Sequence, residues 1–338
     1  MMKRLFYLIL CALLLIPAPG CTGKLNPPVL TKCLNIGNCL DAPKGQSWGV
    51  PMDISYFSTI KQAGFEAVRL PVRFSDYVGS KSDDYRLDET FMKSIDSYVD
   101  AALNQHLTLI LDLHHFLQIM NDPKENEACL IAIWKQLAER YKDRSNSLVF
   151  EILNEPQGNL DSDTWNSILA DTVKAIRAID KTHYLIVGGA NYNSIDALGA
   201  LNLPDDDRLI ATVHYYEPND VTFQGDPNNV VAGKDYSVIT NVRWTGTTQE
   251  MSYLETRLKT AKSWADAHNV PLFLGEFGVN IKAPAATRVK WTSAVASEAD
   301  KFGISYSYWE FASDFVIYNL STGKWNTDML HALLGPSK

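Results

Sequence analysis

The sequence predicts an α/β protein, a single-domain (β/α)8 TIM barrel, and three observations predict it. Eight short runs rich in β-branched and aromatic residues recur from residue 33 onward. Segments with a 3.6-residue apolar period separate them. Several of the runs, otherwise apolar, end on a residue able to do acid–base work. Near-continuous apolar strands alternating with amphipathic helices are the pattern of a parallel sheet covered on its outer face.

The strands are expected at 33–38, 66–72, 107–114, 148–154, 184–189, 209–215, 270–276 and 304–310. Between them, Phe91, Ile95, Val99 and Ala102 mark one helical stripe, and Leu130, Trp134, Leu137 and Tyr141 a second. Trp165, Leu169, Val173 and Ile176 mark the clearest, and Met251, Leu254, Leu258, Ala261 and Trp264 a fourth. The segment 193–201 is short for a helix, and 286–302 has an irregular apolar face. An open doubly wound sheet is the competing architecture. It would carry a glycine-rich turn after its first strand, and that turn here reads Gly37-Asn38-Cys39-Leu40. From Glu217 to Thr247 the chain shows no credible helix or strand. A connection that long is expected to be functional, and it would hang over the C-terminal face of the barrel.

The first twenty residues stand apart. Lys3 and Arg4 precede an apolar run from Leu5 to Ile16, too short to span a membrane and suited to an export signal. Pro17-Ala18-Pro19-Gly20-Cys21 follows, with a small residue directly before cysteine as in bacterial lipoprotein cleavage boxes. The expected division is a signal peptide over 1–20, a linker over 21–32 beginning at a lipidated Cys21, and the catalytic barrel over 33–338. The protein is thus expected to be exported, as a cell-surface or periplasmic lipoprotein or in secreted form.

Losing residues 1–20 removes Lys3 and Arg4 and takes the net charge from −8 to −10. An acidic exported chain is a poor partner for nucleic acid and a better one for a neutral polymer. Beyond Cys11 and Cys21 only Cys33, Cys39 and Cys129 remain, with no paired spacing of a zinc site or a disulfide framework. Cys33 and Cys39 would stand ~20 Å apart on an extended segment, so free thiols are expected. No helix presents an obviously apolar outer face, and a monomer is expected.

In such a barrel the C-terminal ends of the strands face the active site. Read in order, they give Asn38, Arg69, His114 and His115, Asn154 and Glu155, His214 and Tyr216, Glu276, then Trp309 and Glu310. A carboxylate ending a buried strand is costly unless something pairs or uses it. Glu155 and Glu276 end the fourth and seventh strands. Two carboxyl groups facing one another, one protonating a leaving oxygen and the other attacking carbon, are what glycoside cleavage requires. Arg69 is expected to hold Glu276 anionic, Tyr216 to hydrogen-bond it, and Asn154 to bind a sugar 2-hydroxyl. Glu151 lies deeper and is expected to pair with Arg69; Glu310 should point away from the site as support. Trp309 is expected to be a sugar platform, while Trp48, Trp244 and Trp325 are candidates for outer subsites.

These residues resemble glycoside hydrolase family 5, the cellulase family. The likeness rests on Asn154-Glu155-Pro156, His114, His214-x-Tyr216, Glu276 and Trp309, and runs over roughly residues 33–334. Asn35-Ile-Gly-Asn38 with Ala42-Pro43, and Phe150-Glu-Ile-Leu-Asn-Glu-Pro156, are similar to bacterial endo-β-1,4-glucanases of the Thermotoga type. The resemblance implies a retaining endo-acting hydrolase of β-1,4-glucan, with Glu155 as acid/base, Glu276 as nucleophile and no metal or organic cofactor. It departs at Val221-Thr-Phe-Gln-Gly225, where relatives carry a polar residue in place of Phe223. An apolar ring there is expected to disfavour mannan.

Alternative readings are a β-mannanase or dual-specificity enzyme, and a catalytically silent carbohydrate-binding barrel. Loss of one glutamate would mark the silent barrel, and both are present. Asp112-x-His114 with His115 also suggests a metal-dependent barrel hydrolase. That class needs His-x-His on the first strand, which reads Asn35-Ile-Gly-Asn38.

Overall fold

The computed structural model describes residues 27–335 apart from positions 229 and 232, so the expected signal peptide over 1–20 and the expected lipidation site Cys21 lie outside the described residues. Eight parallel strands close into a barrel: β1 (Cys33–Asn35), β2 (Ala67–Val72), β3 (Thr108–Leu113), β4 (Leu148–Glu151), β5 (Leu185–Gly188), β6 (Leu209–His214), β9 (Leu272–Phe277) and β10 (Ser305–Tyr308). Two small hairpins lie outside it: β7 (Val230–Val231) with β8 (Lys234–Asp235), and β11 (Tyr318–Asn319) with β12 (Lys324–Trp325). Seven of the eight barrel strands fall inside the expected runs and β9 extends one residue past its own, to Phe277; β1 and β4 are each three residues shorter than expected, because the chain turns into the active-site loops before those runs end.

Alternation along the strands divides the core in two. One set of buried side chains, Leu34, Val68, Leu70, Leu109, Leu111, Phe150 and Leu274 among them, packs outward against the helices. The other set, Cys33, Ala67, Ile110, Val149, Tyr184, Ile186, Ile210 and Phe273, meets inside the barrel, and Leu30 joins it from the segment before β1. That apolar plug closes the floor. Two residues further along the same inward-facing rows stand Asn35, Arg69, Asp112 and Glu151, all fully buried. The interior therefore changes from apolar at the floor to ionic beneath the C-terminal rim.

The helices follow their stripes. Those at Glu89–Asn104, Pro123–Tyr141 and Ser162–Arg177 each begin on an aspartate, Asp88, Asp122 or Asp161, whose side chain accepts a backbone N–H of the first turn. Thr247 and Glu250 form a capping box on the helix at Thr248–Ala267. Three helix tryptophans reach the rim: Trp134 donates to the carbonyl of Ile152, Trp165 to Gly188 and Trp291 to Glu217. Each satisfies a carbonyl where a strand or its loop leaves the ladder. The irregular 286–302 face is a helix, Ala285–Phe302, while 193–201 holds only a 3-10 turn at Ile195–Ala200.

The connection after β6 is more ordered than its sequence suggests. It contains a short helix at Asn219–Thr222 and the β7–β8 hairpin. The main-chain N–H of Gly225 donates to the carbonyl of Tyr236, and Gln224 exchanges hydrogen bonds with the main chain of Val242. The short elements stayed hidden because their stability comes from these cross-links rather than from a periodic apolar face. Cys33, Cys39 and Cys129 are free, and burial pushes their thiols up to about 12, 12 and 11.

Candidate active site

Arg69 is the centre around which the rim is built. Its guanidinium donates twice to Glu151 (2.7 and 2.8 Å), once to Glu276 (2.8 Å), and to the side-chain oxygens of Asn35 (2.9 Å) and Asn154 (2.8 Å). Asp112 lies 3.0 Å away as a further ion-pair partner. Three carboxylates around one fully buried cation satisfy the electrostatic demand that burial creates. The expected pairings of Arg69 with Glu151 and with Glu276 are both present. Asn35 and Asp112 complete the network, and the sequence reading had not assigned them to it. They stand at the same inward-facing register as Arg69 and Glu151, so the period of two along the strands could have found them.

Glu276 sits at the end of β9 opposite His214 on β6, where a register shift between Val213 and His214 brings the two side chains together. Its second oxygen accepts from the Tyr216 hydroxyl at 2.9 Å and lies 3.6 Å from His214 Nδ1. Gly275 leaves the room this needs: a Cβ there would stand 3.0 Å from His214 Nε2 and 2.7 Å from the Thr212 hydroxyl. Burial by itself raises the Glu276 pKa, but His214, Arg69 and the Tyr216 hydroxyl outweigh it and lower it to about 2. Burial, reinforced by Glu276 and Glu155, pushes the Tyr216 phenol well above its ordinary value, so it stays a donor.

Glu155 follows Asn154 at the mouth of β4 with φ 47°, a left-handed conformation uncommon for a non-glycine residue. Such a conformation is kept where surrounding structure imposes it, and it turns Glu155 into the cleft. Its Oε1 lies 2.8 Å from His214 Nδ1. The Glu155 side chain is 24% exposed against 7% for Glu276. One oxygen of each carboxylate and a His214 nitrogen fall within 4.8 Å of one another. Burial opposes a charge on His214, but Glu276 and Glu155 prevail and raise its pKa.

The remaining predicted residues line the same face. Trp309 is half-buried, stacked on His114 with ring centroids 5.3 Å apart and planes 5° apart. Gly37 makes this placement possible, since a Cβ there would come within 2.5 Å of the indole. His114 Nδ1 is 2.6 Å from Asp112 Oδ2, which fixes its ring. His115 packs edge-on against His114 and Trp48, and burial, with His114 and Arg73, lowers its pKa to about 2. Asn38 is half-buried at φ 56°, and its main-chain N–H donates to Asp41. Asp41, absent from the sequence reading, also accepts from the main chain of Cys39 and shapes the loop after β1. No strand period marks it. Glu310 is fully buried and its Oε1 accepts from the main chain of Ser313 and Phe315, so it braces a loop as expected.

Of the three outer tryptophans only Trp48 is exposed beside the cleft. Trp244 is buried, and Trp325 packs on Phe65, Phe311 and Tyr318. Phe223 also departs from expectation. It is only 8% exposed and packs among Tyr216, Tyr236 and Phe315 rather than presenting its ring openly to a sugar.

Among the described residues, two trios have donor atoms close enough to share a metal ion: Asp41, His114 and His115, and Glu155, His214 and Glu276. In the first, Asp41 already accepts main-chain hydrogen bonds and one nitrogen of His114 is committed to Asp112. The second is the carboxylate pair itself with His214 between.

The sequence pattern of the cellulase family, glycosyl hydrolase family 5, matches residues 35–314. Endoglucanase H of Acetivibrio thermocellus is 33% identical over 311 residues, covering 89% of this chain. The chain spans only 32% of that relative's own length. Among solved structures, the cellulose synthase subunit Z (CcsZ) of Clostridioides difficile is 44% identical with a TM-score of 0.88, over 90% of this chain and 100% of its own. Endoglucanase Cel5A of Thermotoga maritima is 38% identical with a TM-score of 0.86, over 90% of this chain and 97% of its own. Family pattern, relatives and barrel agree: the chain belongs to the cellulase family, glycosyl hydrolase family 5.

Proposed function

We propose that the chain is a retaining endo-β-1,4-glucanase with Glu155 as acid/base and Glu276 as nucleophile. The observation that carries this reading is that one oxygen of Glu155 and one of Glu276 lie within 4.8 Å of each other beside His214, whose Nδ1 is 2.8 Å from Glu155 and 3.6 Å from Glu276. Retaining enzymes hold the pair about 5–5.5 Å apart, whereas inverting ones leave about 6.5–9.5 Å for a water.

Glu276, ionised and held at both oxygens by Arg69 and Tyr216, attacks the anomeric carbon. Glu155 delivers its proton to the departing glycosidic oxygen as that bond breaks. The glycosyl–Glu276 ester is then cleaved by water whose proton returns to Glu155, and the second inversion restores the starting configuration. Asn154 gives its oxygen to Arg69, which leaves its amide N–H groups for the sugar 2-hydroxyl. Trp309 supplies the apolar platform beneath the scissile sugar, and Asn38, His114 and His115 line the same subsites. His214 links the two carboxylates and follows the proton between steps.

Glucan is the favoured substrate. The relatives are named endoglucanases, and the likeness to a subunit of a clostridial cellulose synthase supports cellulose as the polymer met. Cel5A of Thermotoga maritima has been solved with mannotriose as well as with cellobiose, so mannan stays the comparison substrate. The reading includes export on the leader at 1–20 and a lipid tether at Cys21. Among the described residues no helix is long and apolar enough to cross a membrane.

Release of reducing ends from carboxymethylcellulose and barley glucan, with proton NMR of the first product, tests the reading. A β-configured first product supports it. An α-configured product, or no release from either polymer, overturns it.

A further inference from the structure

Phe223 is the feature the mechanism leaves unused. Its ring centroid lies 4.9 Å from that of Tyr216, 5.7 Å from Tyr236 and 6.2 Å from Phe315. Phe315 also meets Tyr216 edge-on at 6.1 Å. Phe223, Tyr236 and Phe315 form a small core of their own, separate from the two cores of the barrel, and Tyr216 and Trp309 pack against it.

The cluster draws its three members from three places. Phe223 follows the short helix after β6, Tyr236 follows the β7–β8 hairpin, and Phe315 comes from the loop after β10. Each is fixed by its main chain. The N–H of Gly225 donates to the carbonyl of Tyr236, and the N–H of Asp226 to that of Phe223. The N–H of Phe315 donates to Glu310, and its carbonyl accepts from Arg288. Thr222, beside Phe223, donates its hydroxyl to the carbonyl of Tyr216 at 2.5 Å. Asn280 then ties the strand β9 side to the same loop, through the carbonyl of Thr222 and the carboxylate of Asp226.

We infer that Phe223 is a positioning residue for the reaction: through this cluster it fixes the Tyr216 ring, and thereby the hydroxyl that holds Glu276. The inference rests on the reading of Glu276 as nucleophile. A phenol swings about its Cα–Cβ and Cβ–Cγ bonds, and one hydrogen bond does not immobilise it. Packing on one face by Phe223 and edge contact from Phe315 do. Phe223 acts on the rate of attack, then, and not by touching the sugar. It lowers the barrier for glucan and mannan alike and does not choose between them.

The test is a double-mutant cycle of Phe223→Ala and Tyr216→Phe on the full chain, read with aryl β-cellobiosides and with inactivation by an activated 2-deoxy-2-fluoro cellobioside. The fluoro sugar reports the attack of Glu276 directly. Wild-type enzyme that leaves Glu276 unlabelled refutes the assignment of the nucleophile, and so the underlying function, before Phe223 is considered. Given labelling, Phe223→Ala should slow inactivation and kcat about tenfold with KM within about twofold. The acid limb of its kcat/KM profile should move upward. Adding Phe223→Ala to Tyr216→Phe should cost no more than Tyr216→Phe alone, because both act through one hydroxyl. Phe223→Leu, which keeps most of the packing, should recover most of the rate and controls for misfolding. Independent, multiplicative losses in the cycle, an unmoved acid limb, or a Phe223→His variant that alters the mannan-to-glucan ratio at unchanged inactivation rate would each overturn the inference.

Discussion

Replacing Arg69 with methionine keeps much of the side chain's length and removes its charge. Glu151, Asp112 and Glu276 then lose the cation that pairs all three inside the barrel. Breaking one buried ion pair by deleting a partner costs about 3–5 kcal/mol. A loss of at least that size is expected in urea unfolding near pH 7, since two of the three carboxylates left behind are fully buried. The pH dependence carries the sign. Burial, against the pull of Arg69, raises Asp112 to about 7 and raises Glu151 as well. Groups raised in the folded state bind more protons there than in the unfolded chain, so stability falls as pH climbs from the unfolded value toward the folded one. Without Arg69 both rise further, and that penalty at neutrality grows. Glu276 is shifted the other way, to about 2, and stabilises the wild type above the unfolded carboxylate range. Its contribution fades on acidification and is smaller in the variant. The first effect narrows the gap between wild type and Arg69→Met between about pH 7 and pH 5, and the loss of the Glu276 contribution narrows it further only below about pH 5. A loss below about 1 kcal/mol, or a gap that stays constant over that range, would mean that the carboxylates do not depend on Arg69 as ions.

Glu276→Ala should still fold, though without the stabilisation that the ionised Glu276 gives near pH 7, lose turnover, and regain part of it with azide on an activated aryl glycoside, giving the α-glycosyl azide; silence with azide counts against Glu276 as nucleophile. Glu155→Ala should lose far more activity on polysaccharide than on aryl glycosides with good leaving groups, which need no proton. Equal losses on both would point to another acid. Because Glu276 is held at about 2, the acid limb of wild-type kcat/KM should lie well below the ordinary carboxylate range, and Tyr216→Phe should move it upward. Cys21→Ser should release the protein from membranes in fractionation, and retention would remove the lipid tether from the account.

The barrel was legible because its two periods are long and repeated: strand rows alternate between plug and helix layer, and the stripes at Trp134, Trp165 and Leu254 lie where helices bury them. The carboxylates were legible because a charged residue closing an apolar strand has few structural uses. The rest was harder for physical reasons. Asp112 reads as one of a possible pair of metal ligands with His114, and only strand register shows that it shares Arg69 with Glu151. Asp41 sits in a loop, held by two main-chain amides that no side-chain pattern encodes. The position of Phe223 reads as part of the cleft, yet a small core assembled from three separate loops withdraws its ring.

The apolar floor has a bearing on how the enzyme meets its polymer. Leu30 inserts among Cys33, Ile110, Ile210 and Phe273 at the end of the barrel remote from the glutamates. The described chain begins beside that end, at Pro27. A chain moored to a cell envelope through its N-terminus would therefore stand on its closed base with the cleft directed outward. Long insoluble strands could be engaged from the surroundings without threading between protein and membrane. The length of tether before Pro27 would govern how far from the surface cutting takes place, and would leave the chemistry at the rim unchanged.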